Sequence, residues 1–149
     1  MEIKKYIKKL GAQELGYRKG KQVTGQYIYV SKDVISFFPK LSQTILNDSV
    51  HLKFRTEFSS SSVEASYIWH NNRFFNEKGT RNEYRIYLNR SIATDDYHFQ
   101  PNDIIVLSKI KNCINTYKLE HIRTTSQYYK KFDAIIESSE LKGNHGVIC

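Results

Sequence analysis

Cysteine is scarce in this chain, with only Cys113 and Cys149 among 149 residues. Two thiols cannot build a disulfide framework and fit a reducing compartment, so the expected location is cytoplasmic. Long apolar runs are missing as well. None approaches the roughly 18–20 residues that cross a bilayer, and no membrane partner is expected. The first residues are broken by lysines, unlike a secretory signal. There is no glycine-rich phosphate loop and no nucleophile elbow. His51, His70, His98, His121 and His145 show no metal-ligand spacing with the cysteines, so neither zinc nor another cofactor is expected. No internal repeat is visible. The serine run 59–62 is too short for a linker and reads as a loop between strands.

What is present suffices for one core. Hydrophobic residues make up 40% and aromatic residues 13% of a chain the size of one domain, taken as 1–149 with 143–149 as a tail or the start of a linker. The net charge of +8 is unevenly placed. Residues 1–22 carry seven Lys or Arg against two acids, and residues 51–90 carry seven against four, while 23–50 and 91–149 each balance. Basic charge gathered in two segments suits a phosphate backbone, an anionic membrane surface or a solvated face.

Period-two alternation dominates the middle of the chain. Val50, Leu52, Phe54 and Phe58 alternate with His51, Lys53, Arg55 and Glu57; Val63, Ala65, Tyr67 and Trp69 alternate with Glu64, Ser66, Ile68 and His70. Tyr84, Ile86 and Leu88 line one face of a third strand, which puts Arg85, Tyr87 and Asn89 on the other. The apolar run 103–107 predicts a buried strand, and 113–122 a further one. A helix is expected from the N-cap Ser31 to Pro39, and a second over 125–138, where Tyr128, Tyr129, Phe132, Ile135 and Ile136 recur at helical spacing. The first ten residues fit either a helix or a strand. Gly16 to Gly25 reads as a basic loop. Mostly strands with two short helices means a barrel or sandwich.

One segment carries chemistry. In Gly79-Thr80-Arg81-Asn82-Glu83-Tyr84-Arg85, two arginines and a glutamate occupy alternate positions where a turn runs into a strand. Alternate side chains of an extended backbone point the same way. Arginine pairs bidentately with guanine O6 and N7, and a carboxylate accepts from the cytosine amino group. Arg81, Glu83 and Arg85 thus have the groups needed to read G·C pairs, though they would equally suit a solvated hairpin tip with a surface ion pair.

Together with Tyr6-Ile7-Lys8-Lys9-Leu10, Phe37-Phe38-Pro39, Tyr67-Ile68-Trp69-His70-Asn71-Asn72-Arg73-Phe74-Phe75 and Asn102-Asp103-Ile104-Ile105-Val106, this motif makes the chain resemble the N-terminal effector domain of EcoRII-type restriction endonucleases, relatives of the plant B-three DNA-binding pseudobarrels. The resemblance spans about residues 6–138. It implies a mainly β, seven-stranded open barrel that grips duplex DNA in the major groove between two arms, here Arg18 to Tyr29 and Asn76 to Tyr87. Strand is then the expected state of the first segment. The family's arginine, glutamate and second arginine fall on Arg81, Glu83 and Arg85, and Lys21, Asn82 and Tyr84 are further base-reading candidates. Lys19, Gln22, Tyr27, Tyr29, Arg73 and Lys78 are candidates for the DNA backbone. Lys21 stands where the family has histidine, Tyr84 where it has lysine, and Gly79 where it has another lysine, beside Lys78. The implied role is non-catalytic recognition of a short G·C-containing, CCWGG-like site by a monomer fused to a C-terminal nuclease domain.

Two alternatives come from other classes. A metal-dependent nuclease could be sought in Asp103 with Glu140-Leu141-Lys142, an acid followed by Glu-x-Lys. A stand-alone regulator reading DNA, RNA or a methyl mark is the other, with aromatic rings as stacking platforms.

Overall fold

The computed structural model describes residues 2–18, 21–22, 27–57, 62–88, 99–141 and 143–149, with 17, 18, 21 and 22 followed by backbone only. Residues 59–61 of the serine loop expected over 59–62, with Phe58, Lys19, Asn89 and His98, lie outside the described residues. The strands are β1 (Lys5–Lys9), β2 (Tyr17–Arg18), β3 (Lys21–Gln22), β4 (Tyr27–Val30), β5 (Ser49–Arg55), β6 (Val63–His70), β7 (Glu83–Leu88), β8 (Ile104–Lys109), β9 (Thr116–Ile122) and β10 (His145–Ile148), with one α-helix, α1 (Tyr129–Glu137). Eight strands form one curled, open half-barrel in the order β10-β1-β8-β9-β5-β6-β7-β4, and β2 pairs with β3 alone. All neighbours in the large sheet are antiparallel except β5 and β9, which run parallel.

Alternation decides which residues enter the barrel. Leu52 and Phe54 on β5, Ala65, Tyr67 and Trp69 on β6, and Ile86 on β7 are buried, while their neighbours face out. They meet Tyr6, Phe37, Phe38 and Tyr117 in the principal core. β1 and β8 are covered on both sides: Tyr6, Ile105 and Leu107 enter that core, whereas Ile7, Ile104 and Val106 pack outward against Phe132 and Ile136 of α1. Burial on both faces explains the unbroken apolar run of β8 and why the ambiguous first segment is a strand. The helix therefore lies over the half of the sheet around β1 and β8. On the other half, β5, β6, β7 and β4 are the strands whose outward faces carry the polar residues.

Two expectations are corrected. The segment after Ser31 is a 3-10 helix, Lys32–Phe37, without a side-chain cap from Ser31. Only eight residues separate the end of β4 from Pro39, and the residue before a proline is driven to extended geometry, as Phe38 is (ψ 164°). A tight i→i+3 turn fits that short space. The second correction concerns the segment expected as a frayed tail. It forms β10, held to β1 by Lys4 N–Ile148 O (2.7 Å) and Lys9 N–Asn144 O (2.8 Å), and it raises the sheet from seven strands to eight.

Candidate nucleic-acid interface

β7 runs between β6 and β4, and register assigns the site's neighbours. Glu83 faces His70, Arg85 faces Ile68 on one side and Tyr29 on the other, and Tyr87 faces Ser66 and Tyr27. Because side chains alternate, Glu83, Arg85, Tyr87, His70, Tyr27 and Tyr29 all stand on the outward face. There the Arg85 guanidinium lies over the Tyr27 ring at 4.4 Å and the Tyr29 ring at 5.3 Å from their centroids. Its Nη2 pairs with Glu83 Oε1, its Nη1 donates to the Tyr87 hydroxyl at 3.1 Å, and its buried Nε–H has no partner among the described residues. The arginine side chain is only 12% exposed, against 30% for Glu83. Burial opposes its charge, but the bonds to Tyr87 and Glu83 outweigh that and hold the guanidinium above its ordinary pKa. Tyr27 and Tyr29 meet edge to face and share a hydroxyl contact of 3.2 Å. That bond, followed by burial, pushes Tyr29 up to about 12, so its hydroxyl keeps its proton at neutral pH.

Arg81 sits apart from this pair. It precedes β7, is exposed, and is held by its backbone: its N–H donates to Asn72 Oδ1 at 2.8 Å, and its carbonyl accepts from Arg73 N at 3.2 Å. Glu83 and Arg85 thus share a face, while Arg81 stands at the tip ahead of them. The tip folds tightly. A Cβ at Gly79 would overlap the backbone carbonyl of Asn72, which explains why glycine occupies a place where the resembled family has lysine. Lys78 and Arg73 are exposed on the same tip. A cleft of 310 Å³ beside it is lined by Lys8, Tyr29, Lys32, Asn82, Glu83 and His145, among others.

Two of the base-reading candidates are engaged with the protein itself. Tyr84 points inward and stacks on Trp69 (5.5 Å between centroids, 2° between planes) and on Tyr67 at 5.9 Å. Asn82 Oδ1 accepts from Trp69 Nε1 at 3.0 Å. Tyr27 and Tyr29, expected against phosphates, form the seat of Arg85. Lys21 and Gln22 pair with β2 through their backbones.

Sequence reasoning missed several supports. Glu14 is a buried acid at the root of the first arm. Its carboxylate accepts from Gly11 N (3.0 Å) and Tyr29 N (2.9 Å) and pairs with Lys8 at 3.2 Å, which fixes β4 against the end of β1. Asn71, fully buried, exchanges bonds with Asn47 and donates to Ile45 O, tying 45–47 to the foot of the second arm. Adjacent asparagines at 71 and 72 were visible in the sequence as a motif but not as two separate ties. His70 was visible only as an outward strand residue; its ring Nε2 lies 2.9 Å from the Tyr87 hydroxyl.

Of the residues named for the alternative nuclease, Asp103 is already engaged within the protein. Asp103 is buried, pairs with His121 at 2.6 Å and accepts from Gln100 N at 2.9 Å, and Lys142 lies outside the described residues. Among the described residues no three His, Cys, Asp or Glu gather as a metal-binding group. No helix in them is long and apolar enough to cross a membrane.

Comparison with known proteins gives a structural likeness and a family. The N-terminal domain of Helicobacter pylori LlaJI.R1 is similar over 99% of this chain and 98% of that one, with a TM-score of 0.63 at 16% identity, a likeness that shows a shared fold. No curated protein sequence matches. Residues 1–95 match the family described as restriction endonuclease EcoRII, N-terminal. That match covers well over half of the chain, and the chain belongs to the EcoRII N-terminal restriction-endonuclease family.

Proposed function

We propose that this chain is the DNA-recognition domain of a restriction endonuclease, binding a short G·C-containing duplex site as a monomer while a separate domain carries out cleavage. The observation that carries the reading is the Arg85 guanidinium seated on Tyr27 and Tyr29 beside Glu83, on a sheet half that the helix leaves bare. This seat joins the two arms, Arg18 to Tyr29 and Asn76 to Tyr87, which carry net charges of +3 and +1. Arg81 and Arg85 read guanines and Glu83 a cytosine, within the major groove. Arg81 reaches a base directly from its exposed tip. Arg85 does so by exchanging Glu83 or Tyr87 for the base acceptors O6 and N7, and its Nε–H, unmet among the described residues, lowers the cost of that exchange, since a buried donor without a partner is already penalised. Lys19, Arg73 and Lys78 hold phosphates, which position the duplex without specifying it. The domain acts on DNA in the cytoplasm and needs no cofactor for binding.

Selection of bound duplexes from a random pool defines the site, and titration of Arg85→Ala against selected and scrambled duplexes tests the reading. The variant should lose about 1–3 kcal/mol of preference, the value of one good bidentate contact. Undiminished preference would defeat it. Incubation of the chain with plasmid and magnesium checks the division of labour, and metal-dependent cutting would show that the chain cleaves on its own.

A further inference from the structure

We propose that His70, acting through the Tyr87 hydroxyl, positions the Arg85 guanidinium and makes discrimination between cognate and scrambled duplex depend on pH. The inference rests on the recognition role of Arg85 given above.

The direction of the first hydrogen bond follows from chemistry. A guanidinium has donors only, so Arg85 Nη1 donates and the Tyr87 oxygen accepts (3.1 Å). The hydroxyl hydrogen of Tyr87 is left to point elsewhere, and His70 Nε2 lies 2.9 Å away. With the imidazole neutral and its proton on Nδ1, that nitrogen accepts the tyrosyl hydrogen. The ring stands edge to face with Tyr87, at 5.9 Å and 72°. The chain Arg85–Tyr87–His70 is thereby polarised in one sense, from the cation to the imidazole, while Arg85 donates separately to Glu83.

Protonation of His70 reverses its last link. Nε2–H becomes a donor toward an oxygen that already accepts from Arg85, the tyrosyl hydrogen loses its acceptor, and a second positive charge stands near the guanidinium. Among the described residues, the groups facing His70 are few. β7 supplies Glu83, opposite it in register, with Arg85 and Tyr87 beyond, and Arg81 precedes that strand. β4 reaches it only through Tyr27 and Tyr29 around Arg85. On β5 the neighbouring register position is Ser49, opposite Ile68, and the first titratable residue on that face, His51, stands opposite Ser66. Burial first, then Arg85 and Arg81, hold His70 below its ordinary pKa, with Glu83 pulling the other way. The imidazole is therefore neutral at physiological pH, and the link breaks only on acidification below about 6.5.

The test measures the ratio of affinities for selected and scrambled duplexes between about pH 5 and pH 8, at fixed salt, for the wild type, Tyr87→Phe and His70→Gln. Both substitutions are close in shape, and thermal melts establish that each variant is folded. The wild-type ratio should fall about tenfold on acidification, the scale of one compromised base contact. Tyr87→Phe should lower the ratio by a similar factor at neutral pH. His70→Gln, whose side-chain oxygen still accepts from Tyr87 but cannot titrate, should give a ratio lower than wild type by a smaller factor and flat with pH. The inference is overturned if His70→Gln keeps the wild-type pH profile, or if Tyr87→Phe keeps the wild-type ratio. Arg85→Ala run in parallel separates the two readings. If it retains preference, base reading by Arg85 fails. If it loses preference while the other two behave as wild type, only the positioning role fails.

Discussion

The two faces of β7 use the same kinds of residue for opposite ends. Inward, Tyr84 lies flat on Trp69 and Tyr67, and Ile86 is fully buried. Outward, Tyr87 joins Tyr27 and Tyr29 of the next strand in surrounding a cation, with a carboxylate on one side of it and an imidazole behind. Tyrosine is the adaptable element. Its ring fills space when stacked, offers a negative face to a guanidinium, and carries a hydroxyl that accepts and donates. One face is spent on stability and the other on holding a charged group that would otherwise wander.

That contrast can be broken most severely from inside. Trp69→Ala removes the largest ring of the inward stack and should cost about 3–5 kcal/mol, seen as a lower urea midpoint. DNA binding should then fail along with folding. A variant that keeps its midpoint would show that the stack is not structural. From outside, Arg85→Ala should spare the midpoint while losing the base preference described above; a large loss of stability would mean that the cation chiefly cements the sheet. Asn82→Ala sharpens the boundary between the faces, because it strips the acceptor from the Trp69 N–H. It should cost about 1–2 kcal/mol of stability with base preference intact. Lost preference in a folded variant would return Asn82 to base reading. The smallest effect belongs to the exposed tip. Lys78→Ala should weaken selected and scrambled duplexes alike and lower the salt slope by roughly one unit, checked by titration at several salt concentrations.

Much of the fold was legible because it obeys short periods. Strands β5, β6 and β7 follow alternation in the sequence, and α1 follows the helical spacing of Phe132 and Ile136. What escaped depends on distant partners. β10 contains Gly146 and only two apolar residues; the free edge of β1 and the cover of α1 make it a strand, and local propensity does not. The turn after Ser31 reads as an α-helix by composition, but the nearby Pro39 leaves too little chain. At the site, the alternation of Glu83 with Arg85 could be read directly, whereas the covering of Arg85 could not. It depends on β4 lying beside β7, which Glu14 secures from 15 residues away. One of two acids in a basic segment gave no sign of that duty.

Gly79 bears on any attempt to retarget the second arm. The oxygen of Asn72 fills the volume where a side chain would begin, so the hairpin tip is clamped at one point and exposed around it. Libraries that vary Lys78, Thr80 and Arg81 alter the decoration of a fixed loop, and their members can be compared as changes of chemistry alone. Varying position 79 instead changes the path of the chain, and with it the aim of every residue the loop displays.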